Sequence, residues 1–157
     1  MELLTNVDIE NLAKSLRIPL RHIGYKDTFT MKPQDGAYII NLQSKIGNTG
    51  GSHWTAMVFK RRHVAYFDPF GLPVPMPIRA FISRYKPTRA IYSLNGIQAM
   101  PSVLCGYFSL YFLYFITVKH KRCDRLGFLI NLHNAIYHTD EDTDKTVQRL
   151  FRQLFFG

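Results

Sequence analysis

Three side chains in this sequence could combine into one reaction: a thiol that attacks, an imidazole that moves a proton, and a carboxylate that orients it. The thiol is Cys105, in MPSVLCGYF. Its place just after Pro101 and Ser102 suits the N-terminus of a buried helix. There the unsatisfied amides and the positive end of the dipole favour thiolate over thiol. Gly106 follows and removes a side chain where a substrate would approach. A lone cysteine in an apolar helix is ordinarily structural, so Cys105 gains meaning only from its company.

That company lies far away in sequence. In GNTGGSHWTAMVFK, residues 47–60, His53 stands where a glycine-rich loop enters an apolar run, beside the sole tryptophan, Trp54. Asp68 ends a second run, VAYFD. If runs 54–59 and 64–68 form a hairpin, the start of the first lies beside the end of the second. His53 and Asp68 then meet at one edge of a sheet, as base and orienter. Gln98, in NGIQAMPSVLC, precedes Cys105 by seven positions on the turn feeding the helix. Its amide could join the Cys105 backbone N–H in holding an oxyanion.

The elements that must position these groups can be read from punctuation and period. Thr5 and Asp8 form a capping-box pattern before apolar residues at helical spacing, predicting a helix over about 6–16. A polar, turn-rich stretch follows. Apolar runs at 37–42, 54–59, 64–68 and 89–94, rich in β-branched and aromatic residues, predict strands. The run at 54–59 shows no polar alternation, as in a strand covered on both faces. KRRH (60–63) should be a hairpin turn. DPFGLPVPMP (68–77), with four prolines, must be a loop before a helical segment around 78–85. Helices are then expected over 103–118, over 125–138 and from about 140. Thr139 and Asp142 could cap the last, and Val147, Leu150, Phe151 and Leu154 give it one apolar face. The expected class is α+β: a mixed central sheet packed on a buried central helix, with further helices at the C-terminus.

Composition bounds the rest. With 157 residues, 46% hydrophobic and 14% aromatic, the chain (1–157) suits a single domain with a real core. Lys and Arg number 20 against 11 acidic residues, a formal charge of +9 that favours a polyanionic partner. Two cysteines are too few for a disulfide scaffold or a four-cysteine zinc site, and a reducing compartment is expected. The opening MELLTNVDIENL does not read as a secretory signal. The run 103–118 is too short to cross a bilayer, and no membrane partner is expected.

GGSHW (50–54), YFDPFG (66–71), then IQ and, six residues on, CGYF (105–108) together resemble the adenovirus-type cysteine endopeptidases, the adenain family. The ubiquitin-like-protein proteases are its distant relatives. HIGYKDTF (22–29) resembles the family's approach to its first strand, so the likeness covers about residues 10–118. The order His, acid, Gln, Cys is the reverse of papain's.

The resemblance implies Cys105 as nucleophile, His53 as general base and acid, Asp68 as orienter, Gln98 in the oxyanion hole and Trp54 packed beside His53. It implies polypeptide substrates, viral precursor proteins cleaved during virion maturation, and no metal or organic cofactor. Stimulation by DNA or by an activating peptide is implied too, with the virion and host nucleus as location and a monomer as working form. Many adenovirus enzymes carry Glu where this chain has Asp68. The family's covalent peptide link uses a cysteine upstream of the nucleophile, and none precedes Cys105, so any such peptide would bind non-covalently. Other readings are a deubiquitinase of the same chemistry, an acetyltransferase with the same residue order but no visible cofactor site, and a basic nucleic-acid-binding virion protein.

Overall fold

β-branched and aromatic runs pair into a five-stranded sheet in the computed structural model, which describes residues 4–43, 53–93, 96, 104–137 and 143–156. The strands are β1 (Leu20–Tyr25), β2 (Gly36–Asn41), β3 (Trp54–Lys60), β4 (His63–Phe67) and β5 (Arg89–Tyr92). They lie side by side in sequence order; β2, β3 and β4 are antiparallel neighbours, and β1 and β5 join parallel at the edges. The sheet is therefore mixed, as expected.

Its two faces carry two cores. Trp54, Ala56 and Val58 of β3, with Ala65 and Phe67 of β4, pack against α1 (Asn6–Ser15), α3 (Cys105–Tyr114), α4 (Leu126–Ala135) and α5 (Thr143–Phe156). Tyr38, Met57, Phe59, Val64 and Tyr66 face the other way, onto Ile78, Phe81 and Ile82 of α2 (Met76–Tyr85). A strand covered on both faces has no polar alternation, which is why WTAMVF lacks it. Large side chains such as Trp54, Phe67 and Phe112 are fully buried; each contributes about 2 kcal/mol of transfer free energy.

The Thr5–Asp8 capping box forms as read: the Asp8 N–H donates to Thr5 Oγ1, and the Thr5 N–H to Asp8 Oδ2. Other boundaries shift. Residues 20–25 form a strand rather than a turn-rich stretch. They lie at a sheet edge, half covered, so their sequence carries little apolar pattern. α2 begins at Met76, not 78, because Pro77 lies in the first turn, where its missing N–H costs nothing. α3 begins at Cys105, and residues 115–119 continue it as a π-helical turn. The cap expected at Thr139 and Asp142 lies outside the described residues. Among the described residues no helix is long and apolar enough to cross a membrane.

Candidate active site

β3 and β4 turn back on each other through Arg61 and Arg62, both with positive φ (48° and 66°). A two-residue turn of that hand fixes the register tightly. Lys60 pairs with His63 and Ala56 with Phe67. Continued past the last pair, the register sets Thr55 opposite Asp68 and His53 opposite Phe70. The hairpin thus brings the imidazole and the carboxylate together, as read from the sequence. His53 Nε2 lies 2.6 Å from Asp68 Oδ1.

Asp68 is completely buried. Its Oδ1 also accepts the Phe70 N–H at 2.8 Å, an Asx turn closed further by the Gly71 N–H on the Asp68 carbonyl. A carboxylate so placed cannot follow the ring; the ring must follow it. The His53 main chain is held as well, its carbonyl accepting the Leu42 N–H at 2.9 Å.

α3 brings the sulfur. Its first residue is Cys105, whose Sγ accepts the Trp54 N–H at 3.4 Å. One turn on, the buried Ser109 hydroxyl donates to the Trp54 carbonyl at 3.0 Å. The peptide groups of Trp54 therefore bolt the start of β3 to the start of α3, and His53 is the next residue outward. Trp54 itself is buried.

Burial of the His53 ring disfavours its charged form. Its interactions with Asp68, first, and with Cys105 outweigh that and raise its pKa to about 9. At neutral pH the ring is an imidazolium flanked by a carboxylate and a sulfur. Cys105 is 2% exposed and the His53 side chain 17%, so the imidazole stands nearer solvent than the sulfur.

Gly106 departs from the expectation. A Cβ there would meet Leu4 Cδ1 at 3.1 Å and Ile9 Cδ1 at 3.5 Å. The missing side chain makes room for α1 and its lead-in, not for a substrate. Gln98 lies outside the described residues. Two residues were missed: Phe70, stacked on His53, and Ser109. The hairpin register could have found Phe70. Ser109, a polar residue one helical turn after Cys105 in an otherwise apolar helix, was a visible signal too. Among the described residues no group of three or more His, Cys, Asp or Glu could hold a metal ion.

Known protein families offer no match to this chain, and neither do curated sequences. Solved structures do. The ASFV pS273R protease superposes with a TM-score of 0.59 at 16% identity, over 98% of this chain and 67% of that one. Its selenomethionine form gives 0.58 at 15% identity, over 98% and 68%. The chain thus shares the α+β fold of a viral protease, in line with the resemblance carried by its motifs.

Proposed function

We propose that this chain is a cysteine endopeptidase in which Cys105 attacks, His53 moves the proton and Asp68 orients the ring. The observation that carries this is the 2.6 Å contact of His53 Nε2 with a fully buried Asp68, on a ring that also interacts with Cys105. A structural histidine needs no such pair of partners. The fold of a protease supports the same reading.

In this reading the resting site is a thiolate–imidazolium pair. The sulfur attacks the scissile carbonyl carbon, and the electron pair of the C=O moves onto oxygen. That oxyanion sits at the N-terminal end of α3, where backbone N–H groups point outward. Gln98 is proposed as the second donor. As the C–N bond breaks, His53 gives its proton to the leaving amine. The neutral ring then takes a proton from water, which attacks the thioester and releases the acid. Asp68 stays ionised throughout and stabilises the imidazolium each time it forms.

The proposed substrates are precursor proteins of the virus that encodes the chain, cleaved during particle maturation. The test incubates wild type, Cys105→Ala and His53→Ala with such precursors. Wild type cleaves and both variants do not; equal cleavage by all three would remove the assignment. A ubiquitin-type probe with a thiol-reactive tail, labelled faster than any precursor is cut, would instead point to a modifier protease.

Stimulation by DNA or by a non-covalent peptide is proposed as well. Two of the 20 basic side chains are already engaged within the chain, because Lys60 and Arg61 both bridge to Asp124. DNA added at low salt should raise the rate, and raising the salt should cancel the gain. A rate that ignores DNA would remove that part.

A further inference from the structure

We propose that Phe70 is a positioning residue for His53, holding the imidazole in the plane that serves Asp68 and Cys105 together, and that residue 96 is glycine to let the Phe70 backbone sit where this requires. The catalytic consequence rests on the protease reading above; the structural part does not.

The Phe70 and His53 rings are stacked, with centroids 4.3 Å apart and planes 10° from parallel. A stack of this kind covers one face of the imidazole and leaves both nitrogens, which lie on its edge, available to partners. It also sets an imidazolium over the negative face of a benzene ring, the favourable sense of a cation–π contact. Among the described residues core packing gives no rival explanation. Phe70 belongs to neither hydrophobic cluster, and among the described residues its one aromatic contact is His53.

The Phe70 main chain is tied to the same centre. Its N–H donates to Asp68 Oδ1, the oxygen that faces His53 Nε2. One residue thus fixes the ring from its face and the carboxylate from its amide. The turn is seated in turn on Gly96. A Cβ at that position would stand 2.7 Å from the Phe70 carbonyl oxygen and 3.0 Å from its carbon. Both are backbone atoms, which cannot swing aside as a side chain can. Gly96 is therefore packed directly against the turn that holds His53.

The experiment compares wild type with Phe70→Ala, Phe70→Leu, Phe70→Tyr and Gly96→Ala in peptide cleavage. In parallel, the His53 ring is titrated by NMR in each variant carrying Cys105→Ala, alongside Cys105→Ala alone. Phe70→Ala should lower kcat by about 10- to 100-fold with KM nearly unchanged, as expected when a catalytic group loses its aim. Its His53 midpoint should fall towards 6.5. Tyr should restore the wild-type values to within about threefold, and Leu, which fills space without a π face, should not. Gly96→Ala should lower kcat likewise with the Phe70 side chain intact. Wild-type kcat and titration in Phe70→Ala, or a Leu variant equal to Phe, would overturn the proposal. If Phe70→Ala does not fold, the Leu–Tyr comparison decides. If wild type cleaves nothing, the protease reading fails while the titration still decides the role of Phe70.

Discussion

Asp68 Oδ1 serves two donors, the His53 ring and the Phe70 amide, from a position with no solvent contact. Asp68→Asn keeps the shape and removes the charge, so the imidazolium loses its main support. The variant should lose about 10²- to 10⁴-fold in kcat, and the His53 midpoint should drop from about 9 towards 6.5 by NMR. Stability should follow pH at both ends. His53 has a folded pKa raised above its unfolded value, so its contribution is complete below about 6.5 and is lost as pH rises through about 9. His133 is the opposite case. It is wholly buried among Phe67, Phe112, Phe115 and Tyr137, and this burial lowers its pKa to about 4 despite a hydrogen bond to Asn134. The unfolded chain gains a proton there first, so stability is lost as pH falls from about 6.5 to about 4. The gap corresponds to about 3 kcal/mol. Denaturant midpoints measured from pH 4 to 10 should form a dome, with its acid limb flattened in His133→Leu. At this scale His53, Asp68 and Cys105 were legible because each sits at the end of a recognisable element. The stack of Phe70 on His53 was not, because it needs the hairpin register rather than the hairpin alone.

Among the described residues, three element ends use non-glycine residues in the left-handed region, and that is a reserve of stability. α1 closes in a Schellman motif: the Ile18 N–H reaches the Ala13 carbonyl and the Arg17 N–H that of Lys14. Arg17 occupies the left-handed position, φ 61°, where glycine is free of the Cβ penalty. Arg17→Gly should therefore raise stability by about 1 kcal/mol, read as a higher denaturant midpoint with an unchanged slope. A lower midpoint would mean that the arginine side chain contributes more than its backbone costs. Lys86 at the end of α2 and the Arg61–Arg62 turn share the conformation. In the turn, though, the Arg61 amide bonds to Asp35, the Arg62 amide to the Tyr85 hydroxyl and the Arg62 guanidinium to the Lys86 carbonyl. These bonds explain why a basic turn lacking Asn or Gly still closes the hairpin. Helices and central strands were legible because their faces are buried and so patterned. β1 was not: a half-covered edge strand mixes Arg21, His22 and Gly24 with Leu20 and Ile23, and no period survives.

For the whole molecule, the arrangement that matters is the junction between one hairpin end and one helix start. The sheet holds His53 and Asp68, the helical layer holds Cys105, and the Trp54 peptide is the rivet between the layers. The α+β class was legible from the order of strands then helices, and it is the fold that the ASFV pS273R protease shares. How closely α1 and its lead-in pack on α3 was not legible, since that depends on Gly106 admitting Leu4 and Ile9. The most direct test of the central claim is the rate of iodoacetamide alkylation at each cysteine as a function of pH. An imidazolium-paired sulfur at Cys105 should react at pH 7 faster than Cys123, although Cys123 is the more exposed of the two, and His53→Ala should abolish the difference. Cys105 that reacts more slowly than Cys123, and only as pH passes the ordinary thiol value of about 8.5, would contradict it.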